Sequence, residues 1–439
     1  MENNLATLGQ AARQAGCRRC YYYPGMKSHL LAEAVVGVTP ASLNERNAFE
    51  FGYGASLAGL RTMVAFKGIG LATCLDSVLH AAINGVRGGL VVVITEDTVA
   101  NSSPEIVDSR LLLDYTGVMM LEPSSMERAV DLLQTAFELS EELDTPILIR
   151  LTHELLQSAP YGAVIDETPS ITDPQLRARN LRQEIIGPWR DRSKVFETKL
   201  NKIDNYISGL YEPEIVKGVT VFSFGCTDTN DPQATVIEHY PIARPLRELY
   251  RSQAITVREL GSNYALRTLA STSMARIDNS RMLASDMLPL ADWEKALKQV
   301  DKSYYPFVVG DEGRFTFDST GKIDLCLCMG SSVAVAAGLS EALNKKCLAV
   351  IGDFSYLFNA YQGILEAFHR NIGLDILLLD DGQASSTGGQ KSVASIEFQD
   401  VARYIHNYKV CDYDSLDHVE SYLLQEPNKI NLYHIKKHA

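Results

Sequence analysis

The chain has 439 residues, 46% hydrophobic and 22% charged, a composition suited to a globular protein with more than one core and, by length alone, about three domains. Its 54 acidic residues outnumber 41 basic ones for a formal charge of -13, with no basic block, which argues against nucleic acid and anionic membranes as partners. The eight cysteines are scattered, as suits a reducing cytosol, and neither a signal peptide nor an apolar run of bilayer length is read, so a cytoplasmic location is expected.

In chain order, residues 5–15 predict a short amphipathic helix capped by Gly16. Cys17 and Cys20 form a CxxC; with no second pair nearby they read as structural thiols, and a redox pair or half of a metal site are the alternatives. Tyr21–Tyr23 is a strand ending at a turn, Pro24-Gly25, that faces a ligand. Leu43–Met63 sets Glu45 at the head of a segment dense in Gly52, Gly54, Ala55, Ser56, Ala58 and Gly59. Such a segment brings backbone close to a neighbour. A helix terminus would account for Glu45 but not for the glycines behind it.

Further strands are predicted at Met63–Lys67, Leu90–Thr95, Met119–Leu121 and Pro146–Arg150, with Gly68–Gly70 as a loop and helices over 73–86 and Ser125–Glu142. Glu96, Asp97 and Asn101–Pro104 follow the carboxyl end of Leu90–Thr95. This alternation makes residues 1–155 an open α/β domain. Residues 156–213 read as a connector with one charged helix, and 214–300 as a small middle domain with strand character at Val219–Phe224, Tyr240-Pro241, Ile255–Arg258 and Tyr264–Leu269.

Residues 301–439 form a second open α/β domain. Cys326–Ser332 precedes an Ala/Gly-rich helix, Val333–Leu343, whose small residues let it start against a phosphate or pack tightly on the sheet. Cys326 and Cys328 share a strand face but have no third or fourth thiol to complete a metal site. An apolar run, Leu348–Ile351, ends in Gly352-Asp353; a second, Ile376–Leu379, ends in Asp380-Asp381-Gly382. Strand, crossover helix and strand place two acidic ends side by side at the carboxyl edge of a parallel sheet, where a hard cation can bridge to phosphates. Ordinary strand-end turns produce the same short strings. Lys391–Ala439 adds helix and edge elements, and the nine histidines are dispersed without metal-ligand spacing.

Gly352-Asp353-Phe354 followed by Asp380-Asp381 resembles the diphosphate-binding motif of thiamine diphosphate enzymes, which begins Gly-Asp-Gly and closes with two asparagines. Phe354 replaces the third glycine and Asp381 stands where the second Asn would be; neither change removes an oxygen ligand. Asn44–Ala48 resembles the pyrimidine-domain motif of the same enzymes. NERNAFEFGYGASLAGLRTMVAFKGIGL from residue 44, with YYYPG at 21–25, LEPSS at 121–125, CLCMGSS at 326–332 and LAVIGDFSYLFNA at 348–360, resembles the alpha subunit of indolepyruvate ferredoxin oxidoreductases.

The resemblance implies a thiamine diphosphate-binding fold, with two open parallel-sheet α/β domains, pyrimidine-binding and diphosphate-binding, flanking the middle domain. It implies that Glu45 contacts and activates the cofactor, and that Mg2+ is held by Asp353, Asp381 and the carbonyl of Gln383. Gly25, Cys328, Met329, Gly330, Ser331, Gly352, Phe354 and Ser355 complete the implied cofactor contacts. The implied activity is decarboxylation of a 2-oxo acid, aromatic and indolepyruvate-like, through an ylide and an enamine, with nonoxidative release or carbon–carbon ligation. An oxidoreductase using iron–sulfur clusters on a separate redox subunit, and a non-catalytic partner subunit, are the alternatives.

The family's ferredoxin-like module is not found, since only Cys411 follows Cys347. Met26 stands where the family tends to have Thr on the substrate-side loop. Met26, Lys27, His29, His80 and His153 are the candidates for substrate contact. A homodimer is the implied minimum assembly.

Overall fold

The structure, a computed structural model, describes residues 1–98, 108–161, 189–212, 216, 219–225, 227, 234–260, 264–270, 293–318, 320–384, 390–391, 396, 403–413 and 428–437. Asn101–Pro104 and residues 162–188 and 213 of the connector therefore lie outside the described residues. The chain divides into two compact units.

The first unit contains β1 (Arg19–Tyr22), β2 (Thr62–Lys67), β3 (Leu90–Glu96), β4 (Met119–Leu121), β5 (Ile147–Thr152), β6 (Val221–Phe224), β7 (Ala234–Ile237), β8 (His239–Tyr240) and β9 (Thr256–Arg258). Its main sheet has the order β1-β2-β3-β5-β4-β8, parallel except for the last pair. β3 is buried along its whole length, the signature of a strand covered on both faces. Register places Ile94 opposite Arg150, so a guanidinium lies in the centre of the sheet. Helix Met126–Leu143 packs on this sheet, capped where Ser125 Oγ accepts from Arg128 N at 3.1 Å and ended by Asp144 in the left-handed region.

The segment 214–300 supplies a parallel sheet, β7-β6-β9, that clusters with β1–β5, and its β8 joins the main sheet at β4. Tyr264–Leu269, expected to continue the strand pattern, is instead within a helix, Tyr264–Ala270; Ala, Leu and Arg there are good helix formers and no alternation opposes them. Gly70, assigned to a loop, opens a one-turn helix, Gly70–Thr73. The expected charged helix of the connector is Trp189–Leu210. Its Lys199 ammonium donates to the carbonyls of Ala82 and Ile83 at 3.0 Å each, satisfying the end of helix Leu75–Asn84.

The second unit contains β10 (Val308–Gly310), β11 (Leu325–Cys326), β12 (Leu348–Gly352), β13 (Leu374–Asp380), the hairpin β14 (Gln383–Ala384) and β15 (Gln390–Lys391), β16 (Asn407–Asp412) and β17 (Ile430–Lys436), together with Glu50–Ala58. Its large sheet is entirely parallel, in the order β11-β10-β12-β13-β17-β16. β11 is only two residues long, so Cys328 lies beyond the strand it was expected to share with Cys326. β17 was expected among edge elements. It is an inner strand between β13 and β16, because six of its seven residues are buried and only neighbours on both sides can satisfy that backbone. The helix expected beyond Lys391 falls outside the described residues.

The glycines behind Glu45 have a physical explanation within this second unit. A Cβ on Gly54 would lie 2.3 Å from Val335 O, and one on Gly338 would lie 2.2 Å from Phe51 O. Helices Glu45–Leu57 and Ser332–Leu343 therefore touch backbone to backbone, which any larger residue prevents.

Candidate functional site

Glu45 is the first residue of its helix. Asn44 Oδ1 accepts from Asn47 N at 2.7 Å, the bond of an N-capping side chain, and this fixes where the helix begins. Glu45 is half-buried, and Thr73 Oγ1 donates to its Oε2 at 3.3 Å. A Cβ on Gly70 would come within 2.4 Å of Glu45 Cγ, so Gly70 is what leaves room for the carboxylate.

The carboxyl ends of β1, β2, β3 and β5 gather several polar groups in the same unit. Gly25 packs against Lys67, where a Cβ would meet Lys67 Cβ at 2.9 Å. Met26 and Lys27 both adopt positive φ, 40° and 59°, a backbone that side chains disfavour, and Ser28 Oγ braces the turn by donating to Tyr23 O at 2.8 Å. Lys67 Nζ pairs with buried Asp97 at 3.0 Å, and His153 Nδ1 lies 3.8 Å from the other oxygen of Asp97. Of the remaining candidates, Lys27 pairs with Glu2, His29 opens a helix, and His80 Nδ1 is committed to Asp76, 2.9 Å from its carbonyl and 3.1 Å from its carboxylate.

Beneath this edge lies an ionic network that sequence reading missed. Arg150 bonds Glu96 and Glu122, while Arg110 is held bidentately by Asp108 at 2.8 and 2.6 Å. Arg110 also lies 3.5 Å from Glu122 and 3.3 Å from Glu259, and donates to Tyr240 Oη and Leu260 O. Both guanidiniums are fully buried. Burial pushes the Glu96 carboxyl up despite Arg150, whereas the acids around Arg110 and Arg150 hold both well above the usual arginine range even though burial opposes this. No local sequence pattern announces such a network; an Arg within the apolar run Ile147–Thr152 is its only signal.

In the second unit, Asp311 at the end of β10 gathers several expected cofactor residues. Its carboxylate accepts from Gly330 N at 2.6 Å and Ser332 N at 3.1 Å, and the Ser355 hydroxyl donates to it as well. Ser331 Oγ closes the adjoining loop, donating to Cys328 O at 2.7 Å and accepting from Cys328 N at 3.1 Å. Gly330, at φ 76°, is pressed against the next turn, where a Cβ would meet Asn359 Cβ at 2.7 Å. The sequence left the start of helix Ser332–Leu343 either to meet a phosphate or to pack tightly on the sheet. The anion there is Asp311, whose pKa burial pushes up to about 6. Met329 belongs to the same loop.

Gly352 ends β12 and Asp353 begins the following helical turn with Phe354 and Ser355. A π-helical turn, Tyr356–Ala360, comes next, a distortion that recurs near functional sites. Asp380 and Asp381 lie at the carboxyl end of the neighbouring β13. Asp380 Oδ1 accepts from Gly382 N at 3.1 Å and Asp381 Oδ1 from Gln383 N at 3.3 Å, while Gly382 takes φ 68°. Asp353 is buried, and its pKa is pushed up to about 7 by that burial, by the Asp380 carboxylate and by that of Asp381. Burial and like charge raise the cost of ionising Asp353, while His434 holds Asp380 below the usual carboxylate range despite its burial; clustered oxygen donors of this kind form a set suited to a hard divalent cation. Asp353, Asp381 and the carbonyl of Gln383 fit such an ion chemically, and a Cβ on Gly352 would meet only ordinary van der Waals contacts, Phe315 Cε2 at 3.8 Å and Leu379 O at 3.9 Å.

Residues 11–184 match the family described as pyruvate flavodoxin/ferredoxin oxidoreductase, thiamine diphosphate-binding, and residues 311–420 match the thiamine pyrophosphate enzyme C-terminal binding domain. The chain is 23% identical to the indolepyruvate oxidoreductase subunit IorA of Archaeoglobus fulgidus over 87% of this chain and 75% of that protein. Its namesake from Methanothermobacter thermautotrophicus is 22% identical over 88% and 75%. The Pyrococcus abyssi IorA is 37% identical, over 30% of this chain and 21% of its own. Among solved structures, the thiamine diphosphate-dependent 4-hydroxybenzoylformate decarboxylase of Rhodococcus jostii RHA1 shares the fold, with a TM-score of 0.55 at 13% identity over 99% of each chain. No helix among the described residues is long and apolar enough to cross a membrane.

Proposed function

Since the chain belongs to the thiamine diphosphate-dependent 2-oxo acid enzymes and carries both of their cofactor domains, we propose that it binds thiamine diphosphate with Mg2+ and removes the carboxyl group of a 2-oxo acid. The observation that carries this reading is the carboxylate edge of Asp353, Asp380 and Asp381, where burial and then the neighbouring carboxylates push Asp353 up to about 7 and a divalent cation relieves the repulsion. Residues 1–155 serve as the pyrimidine-binding domain and 301–439 as the diphosphate-binding domain. Asp353, Asp381 and the carbonyl of Gln383 hold the metal; Gly352, Phe354 and Ser355 line the diphosphate. Glu45 hydrogen-bonds the aminopyrimidine and moves its proton. When bound, thiamine diphosphate supplies the ring that accepts the electrons of the broken carbon–carbon bond. Lys67, Asp97 and His153, together with the loop of Gly25 and Met26, offer the first unit's polar surface to a substrate carboxylate.

After loss of carbon dioxide two outcomes compete. Among the described residues no group of cysteines is placed together to hold an iron–sulfur cluster, and nonoxidative release or ligation is the reading we take from these residues. The relatives named indolepyruvate oxidoreductase subunits favour an oxidative outcome, an aromatic substrate and electron transfer through a second subunit. A homodimer in the cytoplasm is the assembly we propose for the first reading.

Calorimetric titration of the protein with thiamine diphosphate and Mg2+ tests the shared premise, and absence of binding removes it. Anaerobic incubation with indolepyruvate, phenylpyruvate or pyruvate, with and without coenzyme A and an electron-accepting dye, separates the outcomes. Aldehyde or acyloin without dye supports the nonoxidative reading; dye reduction that requires coenzyme A supports the oxidative one.

A further inference from the structure

Beside the carboxylate edge, a buried histidine is left unused by the proposed function. His434 lies on β17, opposite Leu378 of β13, and is fully buried. Its Nε2 is 2.7 Å from Asp380 Oδ2, and its Nδ1 is 2.7 Å from the hydroxyl of Tyr408 on β16. Asp380 thus has both oxygens engaged, Oδ2 by His434 and Oδ1 by the amide of Gly382. The backbone carbonyl of the same residue accepts from Lys437 N at 2.8 Å, which ties the end of β13 to the end of β17. A carboxylate held in this way is committed to the turn, while the next residue, Asp381, belongs to the donor set with Asp353.

We propose that Tyr408 and His434 form a positioning pair that locks Asp380 and thereby sets the Asp380–Gln383 turn in the geometry a divalent cation requires. This rests on the cofactor reading above. The chemistry is specific about protons: a Tyr408 hydroxyl that donates to Nδ1 leaves the imidazole proton on Nε2, where it is donated to Asp380. Outer groups that orient the turn carrying a metal ligand govern affinity without touching the ion. Neither residue contacts the substrate or cofactor in this arrangement, so neither is catalytic.

Manganese(II) binding in the presence of thiamine diphosphate, followed by electron spin resonance, tests the pair, with circular dichroism to confirm folding. His434→Phe, which keeps a buried ring and removes the donor, is expected to weaken Mn2+ binding by roughly 10- to 100-fold. His434→Gln retains a donor in place of Nε2 and is expected to recover most of the loss. Tyr408→Phe releases the tautomer and is expected to give a smaller loss in the same direction. His434→Phe that binds Mn2+ as tightly as wild type overturns the proposal, as does a loss that Gln fails to rescue while Tyr408→Phe has no effect. Should His434→Phe not fold, Tyr408→Phe, at a half-buried position, decides alone: weakened binding supports the pair and unchanged binding overturns it. A wild type that binds no Mn2+ removes the cofactor reading and this proposal together, whereas a binding wild type with an indifferent His434→Phe removes only the proposal.

Discussion

Two polar clusters, one in each unit, handle buried charge in opposite ways. In the first unit, Arg110 and Arg150 are threaded between Asp108, Glu96, Glu122 and Glu259, so each carboxylate has a cation supplied by the chain. In the second, Asp353 faces Asp380 and Asp381, and burial together with these like charges raises its pKa toward neutrality. The first cluster is closed by its own residues and serves the fold; the second has a charge imbalance that an added cation corrects. Richness in acidic residues is therefore a poor guide to a site. What distinguishes the two is whether the chain itself supplies the counter-charge.

That contrast is open to direct tests, of which removal of a guanidinium has the largest expected effect. Arg150→Met strands Glu96 in the core and leaves Glu122 with Arg110 alone, and is expected to cost about 3–5 kcal/mol in urea unfolding. A loss below about 1 kcal/mol would break the distinction. The buried acid Asp311 comes next. Its folded pKa of about 6 exceeds the ordinary aspartate value, so its protonated form favours folding below roughly pH 4, and that contribution is lost as pH rises through 6. Over that window its share is about 3 kcal/mol, at about 1.4 kcal/mol per pH unit. Asp311→Asn is expected to flatten this part of the stability profile, leaving the similar contribution of Asp375.

In the second cluster the sign reverses relative to Arg150→Met. Asp353→Asn relieves repulsion, so without divalent cation the protein is expected to hold its stability or gain about 1 kcal/mol. Thermal stabilisation by Mg2+ with thiamine diphosphate should vanish in the same variant. As a reference outside both clusters, Lys298→Ala removes an exposed pair with Glu294 and is expected to change stability by about 0.3–0.5 kcal/mol.

Much of this architecture was legible because it is local. Leu90–Thr95 announced a strand buried on both faces, and the two runs ending in Gly352-Asp353 and Asp380-Asp381 announced neighbouring parallel strands. The glycines after Glu45 signalled close backbone approach, which Gly54 and Gly338 make literal. Illegible features are those set by distant residues. Asp311 occupies a helix start that looked open to phosphate, because Gly330 and Ser332 lie some twenty positions away in sequence. His434 looked like one of nine dispersed histidines; only the placement of β17 beside β13 gives it a carboxylate.

The inner position of β17 also imposes a schedule on synthesis. His434 is made 54 residues after Asp380, so at about 5–20 residues per second a ribosome needs roughly 3–11 seconds to supply it. During that interval β13 can pair with β12 while its other edge, a row of amides and carbonyls in an apolar strand, awaits a partner. The nascent protein thus leaves that edge open to mispairing beside its acidic turn, and the arrival of a single late strand both covers it and fixes Asp380.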